Sequence, residues 1–212
     1  MQSLAAGVAA ASHTLSFSSA SRSMPVSKAE GAFIIHNDLP WALETRRSQF
    51  GFGPITPASH LFVRNNLPTP PASLTDQGDD WSLDVGGCAR EGSLKLADLK
   101  RMKTRTVATV LQCSGNGRDF FPHDPSGSQW GVGAAGCVLW TGVTVADIFE
   151  QFGGVKSDLS YLTATGGEEL PEGVNQDAVV VERSVPIEKG LKDCLLVWEM
   201  NGAPLPMIHG GP

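Results

Sequence analysis

Three short runs carry side chains able to do chemistry. In Leu111-Gln112-Cys113-Ser114-Gly115-Asn116-Gly117-Arg118, Cys113 opens a turn built on two glycines. Glycine adopts backbone shapes that other residues resist, and the N–H groups of such a turn can converge as an anion-binding nest. Arg118 adds positive charge, which favours a thiolate over a thiol. A thiolate is a soft ligand that suits a transition metal. The same residues are compatible with a reactive thiol or a buried structural cysteine. In Leu61-Phe62-Val63-Arg64-Asn65-Asn66-Leu67-Pro68, Arg64 follows an apolar run and precedes two amides. Its planar fork of donors matches an oxyanion; the alternative is an arginine that caps a turn within a surface ion pair. The third run is Trp198-Glu199-Met200-Asn201-Gly202-Ala203-Pro204-Leu205-Pro206, followed by His209-Gly210-Gly211-Pro212. There His209 stands between a proline-braced hairpin and glycines, where an imidazole either reaches a ligand phosphate or is purely structural.

The elements that must position these groups are short. Residues 1–30 read as a disordered tail or the remnant of an export signal: 4–11 are small and apolar, 12–23 are serine-rich, and no basic stretch precedes them. Residues 31–64 read as an irregular arm. Pro54 and Pro57, then Pro68, Pro70 and Pro71, exclude long helices there. Alternation over 81–85 predicts a strand closed by Gly86-Gly87. Leu94, Leu96, Leu99 and Met102 predict a short helix from near Ala97. Residues 104–111, rich in Val and Thr, predict a buried strand running straight into the Cys113 loop. A helix is predicted over 144–152, ended by Gly153-Gly154. Strands are predicted over 159–165, 178–182 and 195–199, with one helical turn over 185–190. Asn201-Gly202 signals a hairpin whose return begins at Pro204. Short strands, few helices and many glycines give an α+β fold over 31–212.

Composition narrows the function classes. The chain has 212 residues and a formal net charge of −6 without a basic face, which argues against nucleic acid. The acidity serves solubility or steers a basic protein partner. None of the four cysteines forms a Cys-x-x-Cys pair or precedes a histidine, so a zinc site or covalent haem is not indicated. Cys137 and Cys194 read as small buried hydrophobes and Cys88 as a turn residue. No stretch is long and apolar enough to form a membrane-spanning helix.

Taken in order, the three runs resemble the molybdenum-cofactor domain of the sulfite oxidase family. The family pattern is an Arg-Asn-His or Arg-Asn-Asn triplet, then Gln-Cys-Ala/Ser-Gly-Asn, then Glu-Met-Asn-Gly and His-Gly. Trp140-Thr141-Gly142-Val143 fits the segment that opens a helix. Glu44-Thr45-Arg46-Arg47-Ser48 with Ile55-Thr56-Pro57 is most similar to bacterial sulfite dehydrogenases. The resemblance covers about residues 33–212. It implies that Cys113 binds molybdenum through its thiolate and that Arg64 lies beside the sulfite oxyanion. It implies that Val63, Asn65 and Asn66 line the pterin and metal pocket and that His209 contacts the pterin phosphate. Asn66 stands where animal members have histidine, which leaves a neutral amide there. A cofactor-contacting Asp of animal and plant members falls near residues 166–168, where no counterpart is evident.

The resemblance implies a sulfite oxidase-type molybdopterin-binding domain, incomplete at its C-terminal end. The activity implied is oxidation of sulfite to sulfate by oxygen-atom transfer. No haem domain precedes it in this chain, so electrons would pass to a cytochrome c-type acceptor, with a periplasmic location. The family's catalytic tyrosine, second substrate arginine and dimerisation domain would follow Pro212. Residues 1–212 alone are therefore expected not to turn over sulfite, and a homodimer only in a longer chain. The alternatives are a related molybdoenzyme acting on another sulfur or nitrogen oxyanion or a sulfoxide, and an inactive cofactor-free remnant.

Overall fold

A computed structural model describes residues 25, 27–51, 53–67, 76–166 and 182–211. Strands β1 (Phe33–Asp38), β2 (Trp41–Thr45) and β3 (Val63–Arg64) form an antiparallel sheet in that order. The irregular arm expected over 31–64 is thus a meander. Its strands escape a periodicity reading because β2 buries Ala42, Leu43, Glu44 and Thr45 in succession instead of alternating. Packing also begins upstream of Gly31: Lys28 is buried, and the Ala29 N–H donates to the Ser59 carbonyl at 3.0 Å. Residues 1–24 of the expected tail, and Pro68, Pro70 and Pro71, lie outside the described residues.

Strands β4 (Ser82–Val85) and β5 (Gly92–Lys95) pair as an antiparallel ribbon that leads into helix α1 (Leu96–Arg101). The Lys95 N–H donates to the Asp98 carboxylate at 2.9 Å and caps that helix, while Leu96 and Leu99 face the core. Strand β6 (Arg105–Gln112) then pairs along its whole length with β7 (Ala135–Thr144). Helix α2 (Val145–Gln151) follows at once. Thr144 caps it by accepting from the Asp147 N–H at 3.1 Å, and Gly153 and Gly154, both at positive φ, end it. Strands β8 (Tyr161–Thr165) and β9 (Glu182–Pro186) form a second ribbon. The strand expected over 178–182 overlaps β9 only at Glu182, and the rest lies outside the described residues. The helical turn expected from Val185 is displaced: Val185 and Pro186 still belong to β9, and helix α3 spans Ile187–Asp193. Pro186 sets the boundary, since its fixed φ suits the entry to a helix.

Strand β10 (Leu195–Met200) and β11 (Ala203–Pro204) are joined by Asn201-Gly202. Both turn residues have positive φ, 56° and 77°, as a two-residue hairpin requires. The Asn201 side chain fastens this hairpin. It accepts from the Leu139 N–H and donates to the Thr56 carbonyl, each at 2.9 Å. The larger sheet has the order β11-β10-β7-β6, so β6 is its edge. The burial expected for β6 is not found: every residue from 105 to 112 is exposed, with Val107, Val110 and Leu111 among the exposed apolar side chains. β-Branched residues mark a strand, but burial depends on what packs over it.

One buried carboxylate ties the β1–β3 sheet to the segment that leads into the larger sheet. Glu44 on β2 is only 4% exposed. It accepts from the Gly131 and Gly133 N–H groups at 2.9 and 3.0 Å and bonds His36 Nε2 at 2.7 Å. Burial alone would raise the Glu44 pKa; the N–H groups of Gly131 and Gly133 and the His36 ring outweigh it and hold the carboxyl below its usual range. Beside it, the Thr45 N–H donates to the Gly133 carbonyl, and the His36 ring lies against Trp130 with centroids 4.7 Å apart.

A carboxylate whose folded pKa is depressed stabilises the fold above its unfolded pKa, and loses that contribution as pH falls through the folded value. Glu44→Gln should lower stability at neutral pH by about 2 kcal/mol in urea unfolding, because an amide NH2 cannot accept from both glycine N–H groups. The variant's stability should also fall less steeply below about pH 4.5, where the native carboxylate takes up its proton. Equal acid limbs would remove Glu44 from this role. Gly133→Ala should cost about 2 kcal/mol, since a Cβ there would meet the Thr45 carbonyl oxygen at 1.9 Å. Gly86→Ala, whose nearest neighbour is 3.9 Å away, should leave the thermal midpoint nearly unchanged.

Candidate active site

The Cys113 loop is set by the last pair of β6 and β7. Gln112 opposes Ala135, and one step on the Cys113 N–H donates to the Ala134 carbonyl at 2.9 Å. The Asn116 side-chain oxygen accepts from the Ala134 N–H at 2.9 Å, so this short stretch is held from both sides. The Gly117 N–H reaches the Gly131 carbonyl at 2.6 Å, and the Asp119 N–H reaches the Trp130 carbonyl at 3.0 Å. Residues 130–134 therefore hold the cysteine loop on one side and Glu44 on the other. Gly117 adopts a φ of 87°, the left-handed conformation that glycine allows.

Cys113 is half-buried and packs against the cluster built from Phe62, Trp130, Val138, Met200 and Leu205. The Gly115 N–H points at its sulfur, 3.4 Å away. The residues that follow Cys113 turn toward a cleft: Ser114, Gly115, Asn116, Arg118, Phe121, His123 and Pro125 line an open space of about 190 Å³. Arg118 forms part of this wall. Its Nη1 donates to the Ser128 carbonyl at 2.9 Å, and a Cβ on Gly115 would lie 2.9 Å from its guanidinium. The cationic group expected near Cys113 is thus laid over the glycine turn, with its position fixed by a carbonyl. Phe121 and His123, their rings 5.6 Å apart, and Pro125 are the cleft residues that no sequence signal singled out. They occupy an irregular loop, and only their closeness in sequence to Cys113 pointed to them.

The other two runs meet the same core. Phe62 belongs to the Arg64 run, Met200 and Leu205 to the His209 run, and all three are part of the buried cluster that Cys113 touches. On β3, Arg64 is exposed opposite Ala42, and the Asn65 N–H donates to the Trp41 carbonyl at 2.9 Å. Asn65 is half-buried and Asn66 exposed. Val63 is 1% exposed, paired with Leu43 in the sheet and packed with Leu43 and Ile208. His209 ends a 3-10 turn, Met207–His209. Its Nε2 lies 2.7 Å from Lys28 Nζ, which also donates to the Ala58 and Leu61 carbonyls at 2.7 and 2.8 Å. Lys28 was read as tail and escaped the sequence analysis.

The remaining cysteines depart from expectation. Cys88 is fully buried and bridges to Val155, and burial pushes its thiol pKa up, the mark of an inert thiol. Cys137 and Cys194 are half-buried, since β7 and the end of α3 leave one side open. All four are free thiols. Among the described residues, no three His, Cys, Asp or Glu side chains gather as a metal-binding group. A metal at Cys113 would take its other ligands from a cofactor. A soft sulfur donor that accepts from a glycine N–H, in a loop that also carries a guanidinium, fits an anionic metal cofactor.

Known proteins are similar to this chain in sequence and in fold. The mitochondrial sulfite oxidase of Drosophila melanogaster is 30% identical over 162 residues, 74% of this chain and 27% of that protein. The NADPH nitrate reductase of Neurospora crassa is 29% identical over 187 residues, 77% of this chain and 18% of that protein. The chain thus spans less than a third of either relative's length. The crystal structure of the sulfane dehydrogenase SoxCD from Paracoccus pantotrophus superposes with a TM-score of 0.65 at 22% identity, over 92% of this chain and 50% of that one. This likeness shows the fold, an α+β architecture dominated by sheet. The family model described as oxidoreductase molybdopterin binding domain matches residues 67–212, which takes in the Cys113 loop, its cleft and the β10–β11 hairpin. That match takes in more than half of the chain, and this chain belongs to the oxidoreductase molybdopterin binding domain family.

Proposed function

We propose that the chain builds part of the active site of a molybdenum enzyme that oxidises sulfite to sulfate and passes two electrons to an external cytochrome. The observation that carries this reading is the Cys113 sulfur, which accepts from the Gly115 N–H in a loop whose next residues, Ser114, Gly115, Asn116 and Arg118, line a cleft. Sulfite and water give sulfate, two protons and two electrons; when bound, the molybdenum cofactor supplies the transferred oxygen and holds the electrons. The residues of this chain bind and orient. Cys113 would hold the metal as thiolate. Arg64 and Arg118 would attract the substrate anion and offset its charge through charge-assisted hydrogen bonds. Val63, Asn65 and Asn66 would line the pterin side, and His209 would meet the pterin phosphate. A periplasmic location belongs to the same reading, supported by the apolar and serine-rich composition of residues 4–23. In a longer chain the protein would form a homodimer.

A second reading keeps the site and changes the substrate to another sulfur or nitrogen oxyanion. The similarity to a nitrate reductase favours it. Steady-state assays of the full-length holoenzyme with sulfite, thiosulfate and nitrate, using cytochrome c or a reduced dye as redox partner, separate the two. Turnover of nitrate without sulfite would overturn the first reading.

In the full-length enzyme, Cys113→Ser should abolish sulfite oxidation, because a hard hydroxyl replaces the soft thiolate. Retained activity with unchanged molybdenum content would remove Cys113 from the metal. Arg64→Gln should raise KM for sulfite about tenfold to a hundredfold with a smaller change in kcat, the effect of losing one charged hydrogen bond worth about 1.5–3 kcal/mol. Unchanged kinetics would place Arg64 outside the substrate site.

A further inference from the structure

The Lys28 ammonium has three N–H donors and no acceptor. The structure gives it three partners in a buried setting: the Ala58 carbonyl, the Leu61 carbonyl and His209 Nε2. A donor pointing at Nε2 requires that nitrogen to be unprotonated. The neutral ring then carries its proton on Nδ1. The proton order agrees. Burial lowers the Lys28 pKa to about 7, while burial and the Lys28 charge lower His209 to about 3, so of the two groups Lys28 keeps its proton. Among the described residues, no partner is found for Nδ1. The surroundings also hold Lys28 still. Its Nζ sits 5.8 Å from the Phe33 ring centroid, and the Ala29 N–H ties the same segment to Ser59. Lys28 lies upstream of residues 67–212, the part matched by the family model.

We infer that Lys28 is a positioning residue that locks His209 as the neutral Nδ1–H tautomer, so that this N–H is presented to an anionic phosphate of the cofactor. The inference deepens the reading of His209 given under Proposed function and rests on it for the identity of the anion. An imidazole free to exchange tautomers would offer a lone pair to the phosphate part of the time, and a lone pair repels it. A charged lysine on the opposite nitrogen removes that state and polarises the Nδ1–H bond, which strengthens its donation. Lys28 itself touches no ligand in this arrangement, because its three donors are spent on the protein.

The test is nitrogen NMR on the protein labelled with 15N-histidine, without cofactor, at about pH 6, between the two pKa values. The His209 signals, assigned with His209→Gln, should show a protonated Nδ1 and an unprotonated Nε2. A protonated Nε2, whether in the other tautomer or in an imidazolium, overturns the proposal in the wild-type protein, so the result does not depend on a variant that folds. In Lys28→Met the two tautomers should both be populated; a ring still locked as Nδ1–H in a folded Lys28→Met protein also overturns it. Inorganic phosphate serves as the probe of the anion. It should shift the Nδ1 signal, with a dissociation constant about tenfold weaker in Lys28→Met. A locked tautomer that phosphate leaves untouched would support the hold of Lys28 on the ring and overturn the phosphate role of His209, separating the two readings.

Discussion

A buried carboxylate that accepts two glycine N–H groups is the constraint on which this structure turns. Glu44 sits on the small sheet and Gly131 and Gly133 lead into the large one. Leaving those N–H groups unmatched in the interior would cost more than a hydrogen bond returns elsewhere. The loop 130–134 is therefore held against the meander, and the same loop presents Ala134 to Cys113 and Asn116. The Glu44 carboxylate is thus tied, through residues 130–134, to the loop that carries Cys113. The absence of a side chain at Gly133 is part of the same constraint, because the Thr45 carbonyl already fills the space a Cβ would need.

The site is shared among segments distant in sequence. Phe62, Cys113, Met200 and Leu205 meet in one apolar cluster, so the hydrophobic effect that closes the core also converges the three runs. Polar ties then fix the register: Asn201 binds the hairpin to Leu139 and Thr56, and Lys28 binds His209 to the segment that leads into Arg64. Apolar packing brings the parts close, and hydrogen bonds of fixed direction decide how they face.

What the sequence made legible was local. The Cys113 turn could be read from two glycines, the hairpin from Asn201-Gly202, and α2 from Thr144 and its two terminal glycines, because each signal and its effect lie within a few residues. The meander was not legible. Glu44 and Thr45 are polar residues buried on β2, and only partners far along the chain, Gly131 and Gly133, make that tolerable. Lys28 was misread for the same reason, since a lysine near the start of a chain reads as solvated until carbonyls at 58 and 61 are brought to it. The exposure of β6 was hidden too, for composition reports a strand and is silent about the layer above it. The family resemblance supplied what spacing could not, namely why three modest motifs belong together.

The Lys28–His209 bond joins residues 181 apart in sequence, and the Asn201–Thr56 bond joins residues 145 apart. Closing so long a loop costs chain entropy before any contact rewards it, so such ties form late. The β4–β5 ribbon and the β10–β11 hairpin, whose partners are neighbours, can form early. Folding therefore finishes where the chemistry is, and a cofactor arriving during synthesis would meet strands and ribbons before it met a binding site.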